Sequence, residues 1–265
     1  MDWREISGNW VLMPSRPTAI VHFLGGAFVA TTPQITYRGL LEHLSQKNYA
    51  VIATPFVSTL DHRAIAKQAL QDFESTLKSL YNQGTLRNRL PTYGLGHSMG
   101  CKLHLLIGSL FPVGRVERAG NVLVSFNNYA ARDAIPLVEQ FSSAFSSAFS
   151  STLDVEFTPS PLETNAIVAQ RYQIPRNLLV KFDDDNLDQT LTMDSILQKR
   201  FPGMVTLHRQ PGNHLTPLGQ TITWQAGSSF TPLDAIGQWM KQGVYQNINQ
   251  LKSTILHWLD PLALR

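Results

Sequence analysis

The sequence is poor in cysteine and contains no long apolar run. Its single cysteine, Cys101, cannot form an intramolecular disulfide, and one thiol is too few for a cysteine-based zinc finger or an iron–sulfur cluster. Because no apolar stretch approaches about 18 residues, we expect no transmembrane helix. The first residues, MDWREISGNW, lack the apolar core of a signal peptide, so the sequence predicts a cytoplasmic protein. This prediction is compatible with peripheral contact with a membrane.

Charged residues are scarce too, and they do not cluster. Only 15% of the 265 residues are charged, and the formal net charge is +3. No run of five or more basic residues is present, which argues against a nucleic-acid partner. The phosphate-binding pattern GxxxxGK followed by Ser or Thr is missing, and so is the zinc pattern HExxH. We therefore expect no cofactor and no metal, and a small molecule as the partner.

What the chain does contain is an alternation of short apolar runs with longer helical patterns. The short runs are rich in β-branched residues, and several are apolar throughout, as in strands that are covered on both faces. They span residues 10–13, 19–24, 49–53, 92–96, 121–126, 177–182 and 204–209. Helical patterns cover 37–46, 64–81, a stretch from Ser98 onward, 193–199 and 233–259. The alternation predicts one α/β domain over residues 1–265, with a mostly parallel sheet flanked by helices.

One segment of about fifty residues interrupts this alternation, ahead of the strand predicted at 177–182. It contains the stretch FSSAFSSAFSS, in which Phe141, Phe145 and Phe149 recur every four residues and would share one face of a helix. A connection of this length usually carries structure or function of its own. We therefore expect residues 128–175 to include a helical cap or lid over one end of the sheet. The alternative is a Ser-rich loop anchored by its phenylalanines.

The pattern with the clearest chemical meaning is Gly96-His97-Ser98-Met99-Gly100. It follows a predicted strand and precedes a helical pattern, as a G-x-S-x-G nucleophile elbow does. In such an elbow the serine lies on a sharp turn with its hydroxyl exposed, and the two glycines leave room for strand and helix to pack closely. The N-terminus of the helix adds free N–H groups and a partial positive charge. Ser98 is therefore the candidate nucleophile.

A serine hydroxyl needs a base, and the base needs an orienting carboxylate. The candidate base is His214, which follows a predicted strand in the stretch GNHLTP. For the acid, four aspartates follow another predicted strand within the stretch DDDNLD. We favour Asp185, three residues past the last apolar residue of that strand, with Asp188 and Asp184 as alternatives. The chain order Ser98, Asp185, His214 matches that of α/β-hydrolases.

Acyl transfer to a serine also needs two N–H donors for the oxyanion. Met99, the residue after the candidate nucleophile, is expected to supply the first. The second is expected in the loop after an early strand, where the sequence LGGAF contains paired glycines that let the backbone approach a ligand closely. We favour the N–H of Gly26 or Ala27. The alternative is a tight turn without a catalytic task.

The elbow GHSMG, the early LGGA, the aspartate-rich strand end and the late GNHLTP together resemble the α/β-hydrolase superfamily. The wider series LGGAF, ATPF, GHSMGCKLHLLI and LLVKFDDDNLD resembles a narrower branch, the domain-of-unknown-function family 1350 of cyanobacteria and plastids. This resemblance covers nearly the whole chain. It implies a largely parallel sheet with flanking helices and a Ser–Asp–His hydrolytic site.

The sequence departs from the superfamily pattern at two places. The glycine that usually precedes the acid by two or three residues is missing, and Phe182-Asp183 is found there instead. Only the predicted strand at 10–13 precedes the Gly-Gly strand, so we expect the early antiparallel strands of the sheet to be reduced.

Two hypotheses of function follow from these patterns, and a third keeps the fold but changes the reaction, to acyl transfer or cofactor-free peroxidation. The first is a serine hydrolase that acts on an ester, a thioester or a related acyl substrate. We expect that substrate to be hydrophobic, because the phenylalanines of the inserted segment would cover an apolar pocket. The second is a ligand-binding or scaffold protein that has the same fold without the activity, and the departure next to the aspartates favours it.

Overall fold

An eight-stranded sheet forms the centre of the computed structural model, which describes residues 2–27, 29–111, 117–130, 156–219 and 244–260. In chain order the strands are β1 (Arg4–Ile6), β2 (Asn9–Leu12), β3 (Ala19–Leu24), β4 (Tyr49–Ala53), β5 (Thr92–His97), β6 (Arg118–Val124), β7 (Asn177–Phe182) and β8 (Val205–Gln210). Their order across the sheet is β1-β2-β4-β3-β5-β6-β7-β8. Strand β2 pairs antiparallel with β1 and β4, and the other neighbouring strands are parallel. The predicted mostly parallel sheet is confirmed.

Helices cover both faces of this sheet. Those described are α1 (Pro33–Thr36), α2 (Arg38–Gln46), α3 (His62–Asn82), α4 (Met99–Leu110), α5 (Pro161–Arg171), α6 (Thr190–Arg200) and α7 (Val244–Leu259), with one 3-10 turn at Thr216–Leu218. Helices α2 and α7 pack on one face through leucine and isoleucine side chains. Helices α3, α4, α5 and α6 pack on the other. Apolar residues on both faces of the strands are therefore buried, which explains their continuous apolar runs.

The predicted strands agree well with the observed ones where the apolar run is unbroken. Strands β3, β4 and β7 begin and end at the predicted residues. The strand predicted at 121–126 instead ends at Val124, because Ser125 has a positive φ of 52° that turns the chain out of the sheet. The Ser125 side chain is fully buried, so burial continues past the end of the strand and the apolar pattern alone does not reveal where β6 ends.

The prediction of reduced antiparallel strands at the start of the chain is wrong. Strand β1 precedes the expected one and forms a hairpin with β2, and the sheet has eight strands. The hairpin turns at Ser7 and Gly8, which both have positive φ (50° and 78°). Such paired positive φ values occur in the short turns that fit the twist of a hairpin. The strand was overlooked because its three residues are mostly exposed and carry no apolar pattern.

Only the flanks of the predicted cap lie within the described residues. On its C-terminal side, α5 buries Val168 in the core with α4 and α6, as part of the helical layer. The flanks meet, because the Asn128 Nδ2 group donates to the carbonyl oxygen of Pro161 over 3.0 Å. Residues 131–155, which include the phenylalanine stretch, lie outside the described residues, so the cap stays a prediction. Residues 220–243, which include the first part of the helix predicted at 233–259, lie outside them too.

Candidate active site

Ser98 lies at the sharp turn between β5 and α4. Its φ and ψ are 55° and −120°, a backbone conformation that non-glycine residues rarely adopt. The turn is held because the Ser98 N–H donates to the Val124 carbonyl (3.0 Å) and the Ser98 carbonyl accepts from the Cys101 N–H (3.1 Å). The sequence therefore folds here as the elbow pattern predicts.

The two glycines of the elbow are required by close backbone contacts. A Cβ atom on Gly96 would lie 2.6 Å from the backbone nitrogen of Cys101, and one on Gly100 would lie 2.0 Å from the carbonyl oxygen of Leu24. Both distances are well inside van der Waals contact, so any side chain would push α4 away from the sheet. The first turn of α4 thus approaches the C-terminal end of β3, where the LGGAF loop begins.

Three of the predicted side chains meet at this edge of the sheet. The Ser98 hydroxyl lies 3.0 Å from His214 Nε2, and His214 Nδ1 lies 2.8 Å from Asp185 Oδ2. A carboxylate only accepts hydrogen bonds, so Nδ1 carries the hydrogen and Nε2 is free to accept the Ser98 proton. The Asp185 carboxyl is fully buried, whereas the His214 side chain is 13% exposed. The base can therefore reach solvent while its orienting group cannot.

His214 is presented by a loop that the residues around it define. The chain turns at Gly212, whose φ is 134° and whose missing Cβ would lie 2.6 Å from Thr216 Oγ1. The Asn213 N–H donates to that same hydroxyl (2.9 Å), and the Asn213 side chain accepts from the Leu215 N–H (3.0 Å). These local bonds favour one loop conformation, so the His214 imidazole points back over the strand ends.

The charge on Asp185 is stabilised inside the protein. Burial by itself raises the pKa of this carboxyl, but the hydrogen bond and charge of His214 and the Leu187 N–H outweigh it, and the pKa is below its usual value. The Leu187 N–H donates to Asp185 Oδ1 over 2.9 Å. A carboxylate held ionised in this way can stabilise a positive charge that forms on the imidazole.

The two alternative acids point elsewhere. Asp184 is exposed, and its N–H donates to the Gly212 carbonyl at the base of the histidine loop. Asp188 accepts from the Thr190 N–H at the start of α6 and lies 3.8 Å from the Lys181 amine. Burial raises the pKa of Asp188, the opposite direction to Asp185. Of the three aspartates proposed from the sequence, Asp185 is the one hydrogen-bonded to His214.

The predicted oxyanion loop lies against the elbow. A Cβ on Gly26 would lie 3.4 Å from Ser98 Cβ. The Gly26 N–H, however, donates to the Tyr37 hydroxyl (2.8 Å), which favours the N–H of Ala27 over that of Gly26 as the oxyanion donor. Met99 is the first residue of α4, so its N–H has no partner within the helix. The role of Ala27 and Met99 stays a prediction.

The third predicted residue of the elbow, His97, is buried behind Ser98. Its Nδ1 atom lies 2.7 Å from the Tyr37 hydroxyl, and its Nε2 atom lies 2.9 Å from the His214 carbonyl oxygen. Its ring centroid is 5.0 Å from that of His214. The His97 ring therefore contacts the backbone of the loop that carries His214, and it does not contact the Ser98 hydroxyl.

Sequence reasoning missed a fourth side chain at the nucleophile. The Asn127 Nδ2 group donates to the Ser98 hydroxyl oxygen over 2.8 Å. Asn127 follows β6 in the stretch FNNY, which matches no motif. The one signal available was its position after a buried strand, because the C-terminal ends of parallel strands share one edge of the sheet.

The model of the family described as "Protein of unknown function (DUF1350)" matches residues 2–261. The chain belongs to this family. The match extends over nearly the whole DUF1350 chain, so the family resemblance seen in the sequence is confirmed. Among curated proteins, none matches the sequence.

Solved structures similar to this DUF1350 protein include esterases and serine hydrolases. The Pyrococcus furiosus esterase Pf2001 is 15% identical with a TM-score of 0.59, covering 96% of this chain and 85% of that one. FphF, a fluorophosphonate-binding serine hydrolase of Staphylococcus aureus, is 18% identical with a TM-score of 0.55, covering 95% and 92%. S-formylglutathione hydrolase of the same organism is 19% identical with a TM-score of 0.52 and the same coverage. The predicted α/β-hydrolase fold is confirmed.

Two further observations concern the described part of the DUF1350 chain. None of its helices is long and apolar enough to cross a membrane. Within the same residues, no group of three or more His, Cys, Asp or Glu side chains is arranged to hold a metal ion.

Proposed function

We propose that this protein is a serine hydrolase of an ester, a thioester or a related acyl substrate. The observation that carries the proposal is the hydrogen-bonded series from Asp185 through His214 to Ser98, with distances of 2.8 and 3.0 Å. Three residues far apart in the chain meet in the order and geometry that activate a serine hydroxyl. The similar structures include an esterase and a serine hydrolase, which supports the proposal.

In the proposed reaction, the Ser98 oxygen attacks the acyl carbonyl carbon while His214 Nε2 takes the hydroxyl proton. The N–H groups of Met99 and Ala27 stabilise the oxyanion that forms, and Asp185 stabilises the imidazolium. The tetrahedral intermediate collapses, and the leaving alcohol or thiol takes the proton from His214. Water then attacks the acyl-enzyme with His214 as base again, which releases the acid and restores the Ser98 hydroxyl.

The proposed substrate is hydrophobic in its acyl part. This preference is supported by the sequence alone, through the three phenylalanines of the stretch FSSAFSSAFSS between the flanks at Asn128 and Pro161. A screen of ester and thioester substrates of increasing acyl length would test it, and we expect kcat/KM to rise with length.

A fluorophosphonate probe tests the proposed nucleophile without any assumption about the substrate. We expect the wild-type protein to be labelled, and Ser98→Ala and His214→Ala to be unlabelled. Ser109→Ala is the matched control. Ser109 is a buried serine of α4, the helix that directly follows Ser98, and its hydroxyl donates to the Leu105 carbonyl. Circular dichroism establishes that each variant is folded. A folded but unlabelled wild type would contradict the proposal and favour the ligand-binding hypothesis.

A further inference from the structure

Tyr37 and His97 form a buried pair behind the candidate nucleophile. Tyr37 lies between α1 and α2 and is 0% exposed, and His97, the last residue of β5, is 3% exposed. Their side chains are joined over 2.7 Å, between the hydroxyl and Nδ1. The phenol also packs edge-on against Phe23, and its ring stands edge-on to the imidazole. The proposed hydrolytic reaction uses neither side chain directly.

The direction of each hydrogen bond in this pair follows from its partners. The His214 carbonyl can only accept, so the hydrogen of His97 must be on Nε2. Burial, followed by the neighbouring His214, lowers the pKa of His97 to about 3, and the ring is therefore neutral at ordinary pH. Its Nδ1 atom then accepts from the Tyr37 hydroxyl, whose pKa is raised by burial. The Tyr37 oxygen in turn accepts from the Gly26 N–H over 2.8 Å.

This chain of bonds joins the two loops that flank Ser98. At one end is Gly26, in the loop that carries the candidate oxyanion donor, and at the other end is the backbone of His214. The oxyanion loop has a second support, because the Ser58 hydroxyl donates to the Ala27 carbonyl over 2.7 Å. The Ala27 N–H therefore lies between two fixed points, the Gly26 N–H and the Ala27 carbonyl.

We propose that Tyr37 and His97 are positioning residues. They keep the oxyanion loop, at Gly26, and the histidine loop, at His214, in fixed positions on either side of Ser98. The inference rests on the proposed serine hydrolase function. Neither side chain touches the Ser98 oxygen, and each acts through a backbone group of a neighbouring loop. A displacement of about 1 Å at a reacting group can slow a reaction by about 100-fold, so small shifts of these loops have large effects on rate.

The variant Tyr37→Phe tests the shared link, because it removes one hydroxyl and leaves the ring. The Gly26 N–H loses its acceptor and His97 Nδ1 loses its donor. We expect the rate of fluorophosphonate labelling and kcat to fall by about 10- to 100-fold, with KM changed less than about twofold. The matched control is Tyr172→Phe, since the Tyr172 hydroxyl is also buried, accepting from Asn121 and donating to Asn177, away from the site. It should lose stability without losing labelling rate.

Two variants of His97 separate positioning from packing. His97→Ala removes the donor to the His214 carbonyl and should slow labelling at least as much as Tyr37→Phe. His97→Gln places an amide N–H at the position of Nε2, and we expect it to recover part of the lost rate. Because both changes break one chain, combining Tyr37→Phe with His97→Ala should slow the reaction no more than the slower single variant does.

The wild-type protein offers a test that does not depend on variants folding. A long-range 1H–15N correlation spectrum should show His97 protonated on Nε2 alone, at about pH 5 as at about pH 8. Protonation on Nδ1 would overturn the inference, and so would wild-type labelling rates in Tyr37→Phe. In both cases a labelled wild type leaves the proposed function intact. An unlabelled wild type would overturn the proposed function and this inference together.

Discussion

The Ser98 hydroxyl has two hydrogen-bond partners, of which one accepts its proton and the other donates to its oxygen. Its proton points to His214 Nε2 at 3.0 Å, and one of its lone pairs accepts from Asn127 Nδ2 at 2.8 Å. Together these bonds select one orientation of the hydroxyl and leave the second lone pair free to attack. The side-chain orientation of the nucleophile is therefore set before any substrate binds.

Asn127→Ala should slow labelling by about 10-fold, the value of one neutral hydrogen bond of about 1.4 kcal/mol. The expected loss is small because the amide orients Ser98 and takes no proton. Asn128→Ala is the matched control, since that neighbouring amide bonds to Pro161 and should affect stability rather than rate. A loss of 100-fold or more would instead indicate that Asn127 stabilises the oxyanion.

Asp185→Asn should slow labelling by about 10,000-fold with little change in fold. An amide at this position can donate to His214 Nδ1, which forces the hydrogen of the imidazole onto Nε2 and prevents it from taking the Ser98 proton. Asp188→Asn is the control, because that carboxyl binds the Thr190 N–H instead. The assignment would be contradicted if the Asp188 variant were the slow one.

Residues of the candidate site differ in how far the sequence reveals them. Ser98 lies in a motif, and His214 and the aspartates follow strands that end at the same edge of the sheet. Spacing and chain order therefore point to Ser98 and His214, but they leave the choice among Asp184, Asp185 and Asp188 open. No motif marks Tyr37 or Asn127 as part of the site. Their contacts depend on where a helix start and a strand end come to lie in space, which local sequence does not encode.

At the scale of elements, α4 is the helix on which the site depends. It is buried from Met99 to Ser109, with the sheet below it and α3 and α5 beside it. Its first turn approaches the end of β3 so closely that only a glycine fits at position 100. The distance between the oxyanion loop and Ser98 is thus set by packing of whole elements.

Gly100→Ala should therefore destabilise the protein by about 3 kcal/mol or more, because its Cβ would lie 2.0 Å from the Leu24 carbonyl oxygen. Gly39→Ala is the contrasting change, since Gly39 is in α2 and its Cβ would find nothing nearer than 3.8 Å. We expect that variant to gain up to about 1 kcal/mol from helix propensity. Urea unfolding measures both, and equal effects would contradict this account of the elbow.

Strands and helices could be predicted where buried apolar residues recur at regular intervals along the chain. They were missed where such residues are too few to form a pattern. Strands β3 and β4 are buried throughout, so their apolar runs mark both ends. No separate helix was predicted at α5 within the expected cap, because only Thr164 and Val168 are buried in it, which is too few for an amphipathic pattern. Its start was nonetheless encoded, because Ser160 and Glu163 form a capping box around Pro161.

Across the whole molecule, four of the described histidines are buried as neutral rings. They are His22, His62, His97 and His104. Burial lowers the pKa of each, to about 3 for His62 and His97 and well below the usual value for the other two. The unfolded chain takes up protons at these rings near pH 6.5, whereas the folded protein does not. Stability must therefore fall as the pH falls below about 6.5.

We expect the free energy of unfolding to fall by up to about 5 kcal/mol per pH unit below about pH 5.5. Urea unfolding at a series of pH values measures this slope. His62→Phe should reduce this slope by about a quarter, because one of the four titrating rings is lost. Phenylalanine keeps a ring that can stack on Phe157. A stability independent of pH between 7.5 and 5.5 would contradict the prediction.

The bond between Asn128 and Pro161 has an evolutionary consequence. Because the two flanks are already joined there, the chain between them closes a loop whose cost to folding grows only slowly with length, by about 0.6 kcal/mol for each doubling. Insertions and deletions between residues 131 and 155 therefore add little to the entropic cost of closing this loop. Members of the family can diverge in this stretch while the distances between the Ser98, Asp185 and His214 side chains stay the same. New substrate preferences can arise on an unchanged framework.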